Sequence, residues 1–144
     1  MNIRNATYHD APAIRQLLAE LGYIPRLSIL VNQIEMTFNT DDHQIFVYEL
    51  KKEVVGFVSV HYLPQLAFDG GLMLISYLSA DIAIPNLDIG RELEQYITHQ
   101  ARLKKCERIQ VHCMDWRTPT HQFYIQLGYQ EYPKYFTKRL VYGE

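Results

Sequence analysis

The fold is decided by residues 120–129, which read Thr120-His121-Gln122-Phe123-Tyr124-Ile125-Gln126-Leu127-Gly128-Tyr129. A helix is predicted from Thr118 to Leu127, and Gly128 ends it because glycine readily adopts the left-handed conformation found at helix C-termini. Two short strands are predicted to follow, over residues 129–132 and 135–142. This segment therefore predicts a helix that leads directly into a strand.

The rest of the chain alternates between strands and helices. Apolar spacing and turn residues predict strands at 2–6, 44–49, 54–62, 72–80 and 108–114. The same kind of signal predicts helices from the Thr7/Asp10 capping motif to Gly22, from 28 to 38, and from 88 to 105. The predicted order is β-α-α-β-β-β-α-β-α-β-β, with an antiparallel hairpin followed by a right-handed parallel crossover. The fold class is thus α/β (α+β), a mixed sheet with helices on both faces.

Size and composition predict a single domain over residues 1–144. The chain has 144 residues, of which 48% are apolar and 21% are charged, as in ordinary globular proteins. Its 14 basic and 16 acidic residues give a net charge of 14 − 16 = −2, so charge gives no reason to expect a nucleic-acid partner. No apolar run reaches the roughly 18 residues that cross a bilayer, and the first residues lack a secretory apolar region. We expect a cytoplasmic protein with no membrane partner.

The two cysteines do not predict a metal site. Cys106 and Cys113 lack the spaced pairs that bind zinc, and two cysteines are too few for a disulfide framework. We expect two reduced thiols and no bound metal.

The order of elements and several local motifs resemble the GNAT superfamily of N-acetyltransferases over nearly the whole chain. Residues 120–129 are similar to the family's C-terminal signature, a helix with Phe-Tyr and then Leu-Gly-Tyr before a strand. Arg117, seven residues before Tyr124, and Leu21-Gly22-Tyr23 are similar to a branch of small bacterial members. Val55-Gly56-Phe57-Val58 is similar to the strand that follows the family's hairpin.

The resemblance implies an acetyl-CoA site where two parallel strands separate. It implies that the backbone groups of Leu78 and Ala80 contact the pantetheine arm and the oxyanion. The family's phosphate loop, Arg/Gln-x-x-Gly-x-Gly/Ala, matches residues 85–90, and only the final glycine is retained because Pro85 and Asp88 occupy two of its other fixed positions. The cofactor contacts implied around this loop are Asp88, Ile89, Gly90 and Arg91.

Asp88 admits two interpretations. At about 4 Å, two like charges repel by about 1 kcal/mol in water and about 4 kcal/mol at an effective dielectric of about 20, so this carboxylate would weaken phosphate binding. The N–H groups at the helix start and Gly90 would still attract the phosphates. Alternatively, Asp88 is a helix N-cap whose own carboxylate occupies those N–H groups. The sequence leaves both interpretations open.

Catalytic roles follow from the resemblance for only one residue. Tyr124 matches the tyrosine that protonates the departing CoA thiolate, and the alternative is a buried aromatic that packs the last helix. Ser76 stands where many relatives carry a glutamate base. The base would then be His61, His112 or a water, although both histidines also fit ordinary polar strand positions.

Five aromatic residues could line an acceptor pocket at the open side of the domain, but such residues are more often part of the core and do not define a substrate. These residues are Tyr23, Phe38, Tyr62, Phe68 and Trp116. Asp69 and Asp115 would attract a cationic amine or are solvated loop charges.

The leading hypothesis is an acetyl-CoA-dependent N-acetyltransferase that transfers an acetyl group to a primary amine of a small molecule by direct attack. The alternative is a non-catalytic GNAT-fold binding or interaction protein that has lost acetyl-CoA binding. The tyrosines of the C-terminal segment also allow a homodimer. They are Tyr129, Tyr132, Tyr135 and Tyr142.

Overall fold

The computed structural model describes residues 2–81, 83–84, 88–112, 118–132 and 136–140, without the side chains of 118–120. The strands are β1 (Ile3–Asn5), β2 (His43–Leu50), β3 (Glu53–Leu63), β4 (Gly71–Ala80) and β5 (Cys106–Val111). The helices are α1 (Ala11–Glu20), α2 (Leu27–Met36), α3 (Ile89–Leu103) and α4 (Thr118–Gln126), with 3₁₀ turns at Tyr8–Asp10 and Thr37–Asn39. These elements follow the predicted order as far as α4.

The strands form one mixed sheet in the order β1-β2-β3-β4-β5. The first three pairings are antiparallel, and β4 pairs with β5 in parallel across the α3 crossover. The turn between β2 and β3 places Lys51 and Lys52 at positive φ, 49° and 67°, which matches the twist of a tight hairpin. The predicted α/β fold class with a mixed sheet is confirmed.

Helices cover both faces of the sheet, as predicted. Side chains alternate between the two faces of a strand, so β2 sends Ile45 and Val47 to one face and Phe46 and Tyr48 to the other. The first face packs on α1 and α2 in a core of buried residues: Ala6, Ala11, Ile14, Leu17, Leu18, Ile34, Ile45, Val47 and Phe57. On the second face, Phe46 meets Tyr96 of α3 edge-on, with ring centroids 5.0 Å apart.

The capping motif at Thr7 forms as the sequence predicts. The backbone N–H of Thr7 donates to the Asp10 carboxylate at 2.8 Å, and the carboxylate is only 6% exposed. The Arg4 guanidinium of β1 donates two further hydrogen bonds to it, at 2.8 and 3.0 Å. This cluster joins the first strand to the start of α1.

The last two predicted strands are not found in the described part of the chain. Residues 129–132 and 136–140 have no regular secondary structure there, while 133–135 and 141–144 lie outside the described residues. Tyr132 is 71% exposed and Phe136 fully exposed. Aromatic spacing favours a strand only when a neighbouring strand buries one face, and no strand in the described ranges covers these two side chains.

The chain divides into two compact units, residues 1–112 and 113–144. The first contains the sheet with α1 to α3. In the second, α4 ends as predicted at Gly128, which has a φ of 95°. No helix in the described ranges has the length and apolarity needed to cross a membrane.

Candidate active site

Strands β4 and β5 separate partway along β4. Their parallel pairing runs from Gly71 opposite Cys106 to Ile75 opposite Val111. Strand β5 ends at Val111, whereas β4 continues to Ala80. Among the described residues, positions 76–80 therefore pair only with β3. We call the edge of β4 along 76–80 the strand opening.

The backbone of Leu78 and Ala80 faces the strand opening. The N–H of Asp81 donates to the carbonyl of Val55 on β3 at 2.7 Å. Hydrogen-bonded and non-bonded positions alternate along an antiparallel pair, so Ser79 also bonds to β3 and the residues between them point the other way. The two predicted cofactor contacts in β4 thus present backbone donors and acceptors at an open edge, where an extended chain with amide groups can pair.

A β-bulge lies at the start of the strand opening. Ser59 of β3 stands opposite Tyr77 and Val60 opposite Ile75, which leaves Ser76 as the extra residue. The Ser76 hydroxyl lies 2.9 Å from the Ser59 hydroxyl and 3.1 Å from the Ser59 carbonyl. Bulges redirect side chains beside functional sites, and this one turns the hydroxyl of Ser76 toward β3.

His43 extends this hydrogen-bonded group across the sheet. Its Nε2 atom lies 2.8 Å from the Ser59 hydroxyl, and its ring stacks on that of His61 with centroids 4.1 Å apart. Burial, together with the charge of His61, lowers the pKa of His43 to about 4. The ring is therefore neutral at neutral pH and can accept a proton.

Sequence reasoning named His61 and Ser76 but missed His43 and Ser59. The turn at Lys51 and Lys52 does not by itself reveal the pair, because His43 comes to stand opposite His61 only through a register shift between Tyr48 and Glu49. His112, the other predicted base, directly follows the last residue of β5. Cys113 lies outside the described residues.

The N-terminus of α3 is capped by the side chain of Asp88, the residue directly before the helix. Asp88 accepts a hydrogen bond from the backbone N–H of Arg91 at 3.2 Å and from its guanidinium at 2.8 Å. The N-cap interpretation of Asp88 thus describes the structure in hand. Ile89 is buried and Gly90 and Arg91 are partly exposed in the first turn, while the preceding residues 85–87 lie outside the described ranges.

Close packing at Gly56 fixes the position of α3 on the sheet. A Cβ atom added at Gly56 would lie 2.8 Å from Cγ2 of Ile89 and 3.2 Å from Cδ1 of Leu93. The missing side chain lets the first turns of α3 lie directly on β3. The start of α3 is thereby held at a fixed height above the sheet.

Tyr124 is buried in the second unit. It is 6% exposed, and its ring meets those of Phe123 and Tyr129 edge-on, with centroids 5.1 and 5.2 Å away. Its carbonyl accepts hydrogen bonds from the N–H groups of Leu127 and Tyr129, both at 3.1 Å. The signature motif therefore forms a compact aromatic turn in which Tyr124 is central.

Two of the aromatic residues predicted for the acceptor pocket have structural partners. Tyr62 is 8% exposed and donates a hydrogen bond to Gln44 at 2.6 Å, as a core residue does. The guanidinium of Arg108 lies over the ring of Phe68, with its Cζ atom 3.7 Å from the ring centroid. For these two residues the core or packing interpretation describes the structure.

Tyr23 lies near the strand opening, on the face covered by α1. Its ring meets Tyr77 of β4 edge-on at 5.5 Å, and both rings stay about two-fifths exposed, at 41% and 39%. Phe38 is 60% exposed. Trp116 and Asp115 lie outside the described residues.

Metal and thiol chemistry receive no support from the described residues. In those ranges, no three His, Cys, Asp or Glu side chains converge as metal ligands would. Cys106 is partly buried in β5, and burial raises its pKa, which makes its thiol less nucleophilic at neutral pH.

Solved structures share this fold at low sequence identity. A transcriptional regulator from Bacillus halodurans C-125 superposes with a TM-score of 0.85 and 21% identity, over 96% of this chain and 98% of its own. An aminoglycoside acetyltransferase from an uncultured soil metagenomic sample, in complex with sisomicin, gives a TM-score of 0.77 and 21% identity, over 96% and 95%. Ribosomal-protein-alanine N-acetyltransferase from Brucella melitensis biovar Abortus 2308 gives 0.77 and 13%, over 96% and 97%.

No curated protein matches the sequence significantly. The model of the acetyltransferase (GNAT) family, however, matches residues 11–129. That range begins at α1 and ends at Tyr129, so it includes the strand opening, the capped start of α3 and the aromatic turn around Tyr124. The chain therefore belongs to the GNAT acetyltransferase family.

Proposed function

We propose that this chain is an acetyl-CoA-dependent N-acetyltransferase that transfers the acetyl group to a primary amine of a small molecule by direct attack. The strand opening carries the proposal, because it presents the backbone of Leu78 and Ala80 in a chain of the acetyltransferase family. The family generally uses acetyl-CoA, which supplies an activated acetyl thioester. The aminoglycoside and ribosomal-protein-alanine acetyltransferases that share the fold favour an amine acceptor.

The residues at the strand opening fit the pantetheine arm of this donor. That arm contains two amides, which match the backbone groups of Leu78 and Ala80 that face the strand opening. Ile89, Gly90 and Arg91 then form the helix start that would face the phosphates. Asp88 already occupies part of that start, so Arg91 must exchange its carboxylate partner for a phosphate when the donor binds.

The chain's own groups would perform three tasks. A base takes the proton that the amine loses as it attacks. Backbone N–H groups of β4 stabilise the charge that develops on the carbonyl oxygen. Tyr124 gives its hydroxyl proton to the departing sulfur. The proposal places this reaction in the cytoplasm, with a small-molecule amine as the only obligatory partner, and it leaves a homodimer open.

The non-catalytic alternative has one observation in its favour. The Asp88 carboxylate binds the N–H group of Arg91 that a phosphate would use. The membership of the chain in an acetyltransferase family favours the enzyme. Binding of acetyl-CoA separates the two hypotheses.

Calorimetric titration of acetyl-CoA into the purified chain tests the proposal first. We expect a dissociation constant in the micromolar range, and no heat at millimolar donor would overturn the proposal. A thiol reagent then follows CoA release with sisomicin, an alanine-terminated peptide and hydroxylamine as acceptors. Tyr124→Phe keeps the buried ring and removes the hydroxyl, so kcat should fall about 100-fold while the dissociation constant of acetyl-CoA stays unchanged.

A further inference from the structure

We propose that Ser76, Ser59 and His43 form a proton relay that accepts the amine proton at the strand opening and carries it across the sheet to solvent. This inference rests on the proposed function and names the base that the sequence left open. Ser76 is the catalytic residue of the relay: its hydroxyl is bonded to Ser59 of β3, but the residue is partly exposed where the strand opening begins, so an amine bound there would contact it. Ser59 and His43 act through it.

The three side chains lie on one face of the sheet. Ile45 and Phe57 belong to the core beneath α1, and His43 and Ser59 are two residues away from them along their strands. Side chains two residues apart point to the same face. Ser76 occupies the bulge opposite Ser59 and begins the strand opening, directly after Ile75, the last residue of β4 that pairs with β5.

The relay needs one direction of hydrogen bonding. The single Ser76 hydroxyl proton has two acceptors in reach, the Ser59 hydroxyl at 2.9 Å and the Ser59 carbonyl at 3.1 Å, and in the relay it is donated to the hydroxyl. Ser59 then uses its own proton for the Nε2 atom of neutral His43, 2.8 Å away. A serine hydroxyl has one donor and two acceptor sites, so Ser76 still has lone-pair capacity for the proton of an amine.

The two ends of the relay are more exposed to solvent than its middle. Ser59 is 5% exposed, whereas Ser76 and His43 are partly exposed. His43 lines a surface cavity of about 210 Å³ together with residues of the 3₁₀ turn at Thr37–Asn39 and of β2. The relay therefore runs from the strand opening, through a buried hydroxyl, to a cavity that water can enter.

The proton and electron balance of the step is complete. The amine nitrogen forms a bond to the carbonyl carbon of the thioester, and the carbon–sulfur bond breaks. The nitrogen's proton moves to the Ser76 oxygen, the Ser76 proton to Ser59, and the Ser59 proton to Nε2 of His43. The His43 imidazolium then releases its Nδ1 proton to water and the ring returns to its starting tautomer, and Tyr124 is reprotonated by solvent after it protonates the departing sulfur.

The surroundings of His43 favour rapid release of that proton. Burial, and then the positive charge of the His61 ring that stacks on it from β3, lowers the pKa of His43 to about 4. Asp41 and Lys104 line the same cavity, with the Lys104 ammonium 3.3 Å from the Asp41 carbonyl oxygen. His43 thus accepts a proton transiently and does not keep it at neutral pH.

A purely structural role for Ser76 would be to satisfy the Ser59 carbonyl, 3.1 Å away, within the bulge. Three variants separate this role from catalysis. Ser76→Ala removes the hydroxyl, Ser76→Thr retains it, and His43→Gln keeps an acceptor for Ser59 but cannot take up a proton. Thr98→Ala is the control, because it also removes one hydroxyl that donates a side-chain hydrogen bond, to Glu94 at 3.0 Å, but it lies on α3 outside the strand opening.

Turnover with acetyl-CoA and hydroxylamine measures the catalytic role, since hydroxylamine is largely uncharged at neutral pH and its own ionisation has little effect. We expect kcat to fall about 100-fold in Ser76→Ala and His43→Gln, with KM for acetyl-CoA within about twofold and Ser76→Thr close to the parent. Thr98→Ala should keep the parent kcat. Equal kcat in the parent and Ser76→Ala would overturn the relay while leaving the proposed function intact.

Nitrogen NMR of the His43 ring tests the relay without any acceptor. We expect a neutral ring at pH 7 with unprotonated Nε2, and a shift of the Nε2 resonance in Ser59→Ala and in Ser76→Ala. A protonated Nε2, or a resonance that neither variant moves, would overturn the relay. If the parent neither binds nor turns over acetyl-CoA, the proposed function fails and the relay fails with it.

Discussion

The Asp88 carboxylate binds Arg91 twice, through the backbone N–H at 3.2 Å and through the guanidinium at 2.8 Å. One side chain therefore caps α3 and engages the cation nearest to the helix start. Both bonds use groups that a phosphate would otherwise bind. The affinity of the chain for acetyl-CoA depends on how readily this pair opens.

Asp88→Asn should tighten acetyl-CoA binding by up to about tenfold. The substitution removes a like charge of about 1 kcal/mol near the phosphates and frees the Arg91 guanidinium, while asparagine caps a helix about as well as aspartate. Calorimetry of parent and variant measures the change. Asp88→Ala is the control: it also removes the charge but should cost about 1 kcal/mol of unfolding free energy. Unchanged affinity in Asp88→Asn would mean that the phosphates bind away from α3.

Gly56→Ala should destabilise the first unit by about 1–3 kcal/mol. The new methyl would lie 2.8 Å from Cγ2 of Ile89 and 3.2 Å from Cδ1 of Leu93, so α3 must move away from the sheet. Acetyl-CoA binding should weaken as well, because the helix start moves with α3. Urea unfolding and calorimetry check the two effects.

Gly71→Ala serves as the control for that substitution. It also adds a methyl to a strand glycine, but the nearest atom, the Leu63 carbonyl oxygen, is 3.4 Å away, which is an ordinary contact. We expect its unfolding free energy to stay within about 0.5 kcal/mol of the parent. Equal losses of unfolding free energy in Gly56→Ala and Gly71→Ala would show that the close contact between Gly56 and α3 is not what limits stability.

Arg4→Met should move acid unfolding to higher pH. Burial raises the pKa of Asp10, but the Arg4 hydrogen bonds, the Thr7 N–H and the Arg4 charge together lower it below its ordinary value. A carboxyl with a lowered pKa stabilises the fold above its ordinary pKa, and that stability is lost as the pH falls through the folded pKa. Without Arg4 this loss begins at higher pH. Circular dichroism between pH 7 and 2 measures the midpoint, and an unchanged midpoint would contradict the role of Arg4.

The sequence predicts the fold well because its signals are local or periodic. Apolar spacing placed the elements up to α4 within a few residues, and Gly128 marked the end of that helix. The described parts of the two final predicted strands, 129–132 and 136–140, are not strands, since a strand depends on a partner that the spacing of Tyr132 and Phe136 does not reveal. Strand pairing is a long-range property.

The candidate site could be predicted only in part. The backbone positions Leu78 and Ala80 follow from the family pattern; in the structure their backbone groups face the strand opening, and their contact with a cofactor stays a prediction. His43 and Ser59 are far apart in sequence, and they meet only because the hairpin register and the bulge at Ser76 bring three strands together. The sequence leaves two interpretations of Asp88 open, because an aspartate that caps a helix and an aspartate that lies beside a bound phosphate can stand in the same local sequence.

The stacked pair His43 and His61 should make the fold sensitive to mildly acidic pH. Burial, and then the charge of His61, lowers the pKa of His43 from 6.5 to about 4, and burial lowers that of His61 as well. The unfolded chain therefore binds more protons between these values than the folded chain does. The free energy of unfolding should fall as the pH decreases from about 6.5 to 4.

His61→Gln isolates the contribution of the pair. The variant removes one titrating ring and the charge that acts on the other, so the pKa of His43 should rise toward its ordinary value and the pH dependence of stability should weaken. Proton NMR of the His43 ring measures the first effect, and urea unfolding at pH 7.5 and 5 measures the second. The double variant with His43→Gln should lose most of this dependence. If it keeps the parent's dependence, groups other than the histidine pair control stability in this range.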